Sequence, residues 1–239
     1  MRPELRKLSV LPTPRWTAAA VLVAILIATV VVAFKGAGRD SLALTFGVGV
    51  PTYIASIVIG VWMAGLEYGQ KTMKRTLTRN PNRLEVVFSK LAVAILAATA
   101  LTVGAALVAT PLFALASSGH DLTIPAADTI KVGLGSLANN IVYVIAGFSL
   151  GLVTRSMAGG MTLALGFFFV IDSLLTAIPK VGDFMLSAVS GEIFQEIVGK
   201  DIAGTDLEVK IVQAVSITVL WVVAFVALSS ARFLRTDID

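Results

Sequence analysis

The sequence predicts an all-α membrane protein with six transmembrane helices, and three observations carry that prediction. Hydrophobic residues make up 56% of the 239 and charged residues only 14%, where a soluble domain carries about 25% charged residues. Long stretches contain no Asp, Glu, Lys or Arg at all. Basic residues also concentrate between alternate stretches, the asymmetry that orients membrane proteins.

A bilayer core needs about 20 apolar residues of helix. Residues 16–34, 41–66, 91–119, 132–154 and 211–231 are free of charge, and 156–179 contain only Asp172. These give one membrane domain over 1–239, with spans at about 16–34, 41–66, 88–116, 132–154, 157–178 and 211–231. Gly47, Gly49 and Pro51 predict an irregularity near the middle of the second span, and Pro111 one near the end of the third. The first span is too long for a cleaved signal, and five more follow. Ahead of it, "ELRKLSVL" sets Leu5, Leu8 and Leu11 beside Arg6 and Lys7. That pattern reads as a short interfacial helix before a turn at Pro12 and Pro14. The loop at 179–210 is long, and "FMLSAVSGEIFQEIV" within it reads as a helix dipping into the outer interface.

Orientation follows from Lys and Arg. One side holds Arg2, Arg6, Lys7 and Arg15, then the six basic residues of 67–90, then Arg155, Arg232 and Arg235. The other holds Lys35, Arg39, Lys131, Lys180, Lys200 and Lys210. Both termini are therefore expected in the cytoplasm. The net charge of +4 is a topology signal here and implies no nucleic acid. With no cysteine and a single histidine, His120, the chain lacks the donors for a thiolate or histidine metal site. Ser149 and Ser173 have no base to make them nucleophiles. No catalytic, metal or cofactor-binding residue is expected.

The connection "LEYGQKTMKRTLTRNPNRLEVVFSK", residues 66–90, is unlike its flanks. A phosphate-binding loop needs a second glycine before the lysine and a preceding strand. Gln70 stands at the glycine position, and a membrane helix precedes. The helical reading fits better. Leu66, Met73 and Leu77 share one side, Lys71, Lys74 and Arg75 fall largely opposite, and Asn80-Pro81 ends the run. Glu67 is expected in the first turn, offsetting the positive helix end. Such a helix either rests on anionic headgroups, at about 1 kcal/mol per basic residue, or docks a cytoplasmic partner.

The same stretch resembles the loop between spans two and three of ABC-2-type permeases, the membrane subunits of ABC exporters. The matching positions are Glu67, Lys71-Thr72, Lys74, Leu77, Arg83 and Lys90-Leu91. The basic tail "RFLRTDID" and the long outer loop before span six agree with that family. The resemblance implies a coupling helix at 67–80, seated in a cleft of a separate ATPase subunit through Glu67, Lys71, Thr72, Met73, Lys74 and Leu77. It implies two ATPase copies, which bind ATP and Mg, and a second permease copy or a related permease. It also implies a bacterial cytoplasmic membrane and export of antibiotics, peptides, lipids or similar cargo. In that reading this chain is no enzyme and supplies the path. The alternative from another class is an ion-coupled secondary transporter that uses Asp172 as its proton site.

Asp172 is the only charge deep in a span, where a charge costs at least about 2.5–3.5 kcal/mol. It is either a point on the translocation path, with Thr176 one turn on, touching a cationic or hydroxyl-bearing substrate, or a scaffold aspartate between helices. Asn139 and Asn140 on span four either join helices or line the path. Gly147 and Gly151 form a G-x-x-x-G for close helix approach. The aromatic run Phe167–Phe169 reads as lipid-facing or core rather than as a ligand cage.

Overall fold

The computed structural model describes residues 12–35, 49–70, 72, 78, 82–117, 126–199 and 211–235. Among these residues every regular element is a helix and there is no strand. The helices are α1 (Pro12–Lys35), α2 (Val50–Gly69), α3 (Arg83–Ser117) and α4 (Ala126–Thr154). Then come α5 (Met157–Thr176), a 3₁₀ turn at Gly182–Phe184, α6 (Leu186–Val198) and α7 (Ile211–Arg235). Five of them, α2, α3, α4, α5 and α7, are long and apolar enough to cross a membrane. The apolar stretch of α1, Arg15–Val30, is shorter.

Helix α4 is the hub, packed against α2, α3, α5, α6 and α7, while α1 lies on α2 and α3. Its contact with α2 is the most extensive among the described helices, and glycines remove the side chains between them. A Cβ on Gly147 would lie 2.6 Å from the carbonyl oxygen of Ile57, and one on Gly151 would lie 3.0 Å from the Cα of Val61. One on Gly60 would overlap the carbonyl oxygen of Val144 and come within 2.7 Å of the Phe148 nitrogen. The G-x-x-x-G pair thus packs inside the chain, and Gly60 of α2 completes the seam. Trp62, Met63 and Phe148 fill the core on one side of it. Large apolar side chains such as Leu107, Leu115, Val212 and Leu228 stand outward on α3 and α7, a surface matched to hydrocarbon rather than to water.

Several expected boundaries move. Pro12 and Pro14 make no turn ahead of a span. They lie in the first turn of α1, where proline is tolerated because the N–H groups are unpaired anyway. Pro51 lies in the first turn of α2. Helix α3 begins at Arg83, earlier than residue 88, because Asn82 caps it: its Oδ1 accepts the Glu85 N–H at 3.4 Å. At 35 residues α3 is about 50 Å long, well beyond a hydrocarbon core of ~30 Å. The expected interfacial helix at 1–11, the first half of the second span and His120 lie outside the described residues. The helix expected within residues 179–210 is present as α6. It packs on both α4 and α7 and buries Val189, Glu192 and Gln195.

Candidate functional site

A cavity of about 290 Å³ opens between α2, α4, α5 and α6. Its polar wall comes from one face of α4, where Ser136, Asn139, Asn140 and Tyr143 recur at i, i+3, i+4 and i+7 and so line up along the helix. Tyr53 of α2 and Phe168 and Phe169 of α5 supply ring walls. Tyr53 meets Tyr143 edge-on at 4.3 Å between centroids and Phe169 at 5.8 Å, and Tyr143 meets Phe168 at 5.1 Å. The phenol oxygen of Tyr143 shares a hydrogen bond with Ser190 of α6 at 3.2 Å.

The hydrogen-bonding of α4 is only half satisfied. Asn140 Nδ2 donates to Thr102 Oγ1 of α3 at 2.8 Å. That hydroxyl itself donates to the Ala98 carbonyl at 2.9 Å, so it can only accept from the amide, and the orientation of Asn140 is fixed. Asn140 Oδ1, Asn139 Oδ1 and Ser136 Oγ are buried and have no partner among the described residues. Leaving such an atom unmet costs about 1–3 kcal/mol.

Two of the expected path residues, Asn139 and Asn140, line this cavity. The other two, Asp172 and Thr176, lie together behind it at the junction of α5 and α6. The junction begins in a wide π-helical turn, Phe167–Asp172, a distortion often found at functional sites. Asp172 is fully buried, and its two carboxylate oxygens accept the backbone N–H groups of Leu186 at 3.0 Å and Ser187 at 3.2 Å. It therefore caps the first turn of α6, where an anion is favoured by the helix end. Thr176 Oγ1 donates to the Asp172 carbonyl at 2.7 Å and lies 2.9 Å from Ser187 Oγ. The geometry is that of the scaffold role. Phe168 is buried in the core and Phe169 is largely exposed, in keeping with the core or lipid-facing reading, and both also line the cavity.

At the other end of the bundle Glu67 and Lys90 form a buried pair, while Arg155 Nε and Nη2 are buried without a partner among the described residues. Glu67 is not in the first turn of a separate helix. It lies in the last turn of α2, because that helix runs unbroken to Gly69. There an acid opposes the helix dipole, and Lys90 of α3 compensates it. The two side chains meet at 2.9 Å and are 2% and 4% exposed. Arg83 Nη1 reaches the last carbonyls of α7, Phe233 and Leu234, both at 3.3 Å. The α2 end is closed by Gln70 N–H to Leu66 O at 3.0 Å and Thr72 N–H to Glu67 O at 2.9 Å. Arg155 joins α4 to α5 with a left-handed backbone, φ 54°, and Ser156 caps α5 through the Gly159 N–H at 3.2 Å. Lys71, Met73, Lys74 and Leu77 lie outside the described residues.

Sequence reasoning missed Ser136, Tyr143 and Tyr53. The first two carry a readable signal, since they extend the Asn139-Asn140 pair into one helical stripe. Tyr53 has none, because it comes from a different helix. Among the described residues no three His, Asp or Glu side chains cluster as a metal site. The sequence matches no model of a known protein family and no curated protein.

Proposed function

We propose that the chain is the membrane-spanning permease subunit of an ATP-driven ABC exporter, with six spans and both termini in the cytoplasm of a bacterial cell. The resemblance of residues 66–91 to ABC-2-type permeases motivates the reading. The observation that carries it is how the 70–82 connection is anchored. The buried Glu67–Lys90 pair holds the helix that enters it to the helix that leaves it. Arg83 ties its exit to α7. A connection fixed this way at both ends transmits a push on its middle into three helices at once.

In this reading Lys71, Thr72, Met73, Lys74 and Leu77 meet the ATPase, which binds ATP and Mg. Glu67 braces the connection from inside instead of pairing with the partner. Two ATPase subunits act on two permeases, and the cavity on α4 is a station on the path. The test is purification from a native membrane in mild detergent together with the neighbouring gene products. An ATPase should co-purify, and Met73→Ala or Leu77→Ala should lower substrate-stimulated ATP hydrolysis while insertion survives. Lys74→Gln should do less, since one headgroup contact contributes only about 1 kcal/mol. If no ATPase accompanies the chain and Met73→Ala changes nothing, the reading fails. Transport that needs no ATPase and collapses with the proton gradient would replace it with a secondary transporter.

A further inference from the structure

The cavity has a chemical sign. The capacity left unmet on its α4 wall is chiefly of acceptor type: the carbonyl oxygens of Asn139 and Asn140, beside the Ser136 hydroxyl, which can accept or donate. Thr102 fixes this for Asn140, because it takes the amide N–H and leaves the carbonyl. The remaining walls present the rings of Tyr53, Tyr143, Phe168 and Phe169, whose faces carry the negative part of the ring quadrupole. Among the described residues that line it there is no Lys, Arg or His. Directly behind lies the Asp172 carboxylate: its sequence neighbour Ser173 and its hydrogen-bonded neighbour Ser187 both line the cavity.

We propose that this cavity binds an amphipathic organic cation, an aromatic body bearing amino or ammonium N–H groups. An anion would meet the two amide carbonyls, with the Asp172 carboxylate just behind the wall. A purely apolar ligand would leave the two amide carbonyls unmet. The volume of about 290 Å³ sits at the small end of the roughly 300–1,000 Å³ typical of small-molecule sites, which suits a compact polycyclic amine. The proposal deepens the exporter reading by naming its substrate class, and rests on that reading only for the step from binding to transport.

Binding can be measured on the purified full chain in dodecyl maltoside, with ethidium as the probe and 8-anilinonaphthalene-1-sulfonate as an anion of similar size. Ethidium should bind saturably and the anion should neither saturate nor compete. Asn139→Asp should tighten ethidium by about tenfold, since one added charge a few ångströms away is strongly felt, and Asn139→Lys should weaken it by at least about as much. Tyr53→Leu, which keeps apolar bulk but removes the ring, should weaken it about tenfold. A folding defect cannot produce a gain of affinity, so the opposed charge variants separate binding from stability. Equal binding of the anion, absence of saturation, or a charge series without effect overturns the proposal. Co-purification of an ATPase without ethidium binding sinks this site alone. Ethidium binding with no ATPase leaves the site standing and sinks the exporter.

Discussion

The two ends of the bundle use the same kinds of buried polar residue to opposite purpose. At the end where α2 meets α3, Glu67 and Lys90 satisfy each other, and Arg83 takes up carbonyls that α7 leaves free. Near the other end, Asp172 is satisfied by α6, but the amide carbonyls of Asn139 and Asn140 beside it are not. A burial cost met internally builds a joint. The same cost left open marks a place where something else can supply the partner. Burial alone therefore does not tell scaffold from site; completeness of the hydrogen-bonding does.

Substitutions sharpen this contrast, the strongest at the paired end. Glu67→Ala or Lys90→Ala should each lower stability by about 3–5 kcal/mol by stranding a buried charge. Glu67→Leu with Lys90→Met should restore most of it. Thermal unfolding in detergent decides, and single variants no worse than the double would mean the pair is not held as ions. Next comes Asp172→Ala, expected to cost about 2–3 kcal/mol: two bonds to a charged acceptor are lost, partly offset because the buried carboxylate goes with them. Hydrogen exchange should show the amides of Leu186 and Ser187 opening first, with Asp172→Asn intermediate. Unchanged protection there would remove the cap from the account. Gly60→Ala should cost about 1–3 kcal/mol, because its Cβ has only α4 backbone to displace; wild-type melting would mean that the seam yields. Smallest is Asn139→Ala, expected to leave the unfolding temperature nearly unchanged or raised, since it deletes a carbonyl that has no partner. A large loss at Asn139 would erase the distinction between the two regions.

Helix positions were legible because an apolar run without charge has few other fates. Their ends were not, since caps such as Asn82 and prolines such as Pro12 act within one turn and shift a boundary by several residues. Asn139 and Asn140 drew notice as rare amides in a span. The stripe that extends them to Ser136 and Tyr143 was visible in the same spacing. Asp172 was conspicuous, yet its role depends on two N–H groups that reach it only after the chain turns back through Gly182–Phe184. Glu67 misled for a related reason. Its sequence neighbours suggested a helix start, and only the packing of α3 on α2 brings Lys90 to it.

The glycine seam of Gly60, Gly147 and Gly151 has a mechanical consequence. Two helices whose backbones touch have no side-chain cushion to deform, so sliding one past the other would drive carbonyl oxygens into Cα atoms. Helices α2 and α4 thus act as a single beam. One end of that beam carries Glu67 and the start of the connection, and farther along it stand Tyr53, Asn139, Asn140 and Tyr143. In the proposed function, a push on the charged end would reach the cavity wall through that beam, with no intervening relay of side chains.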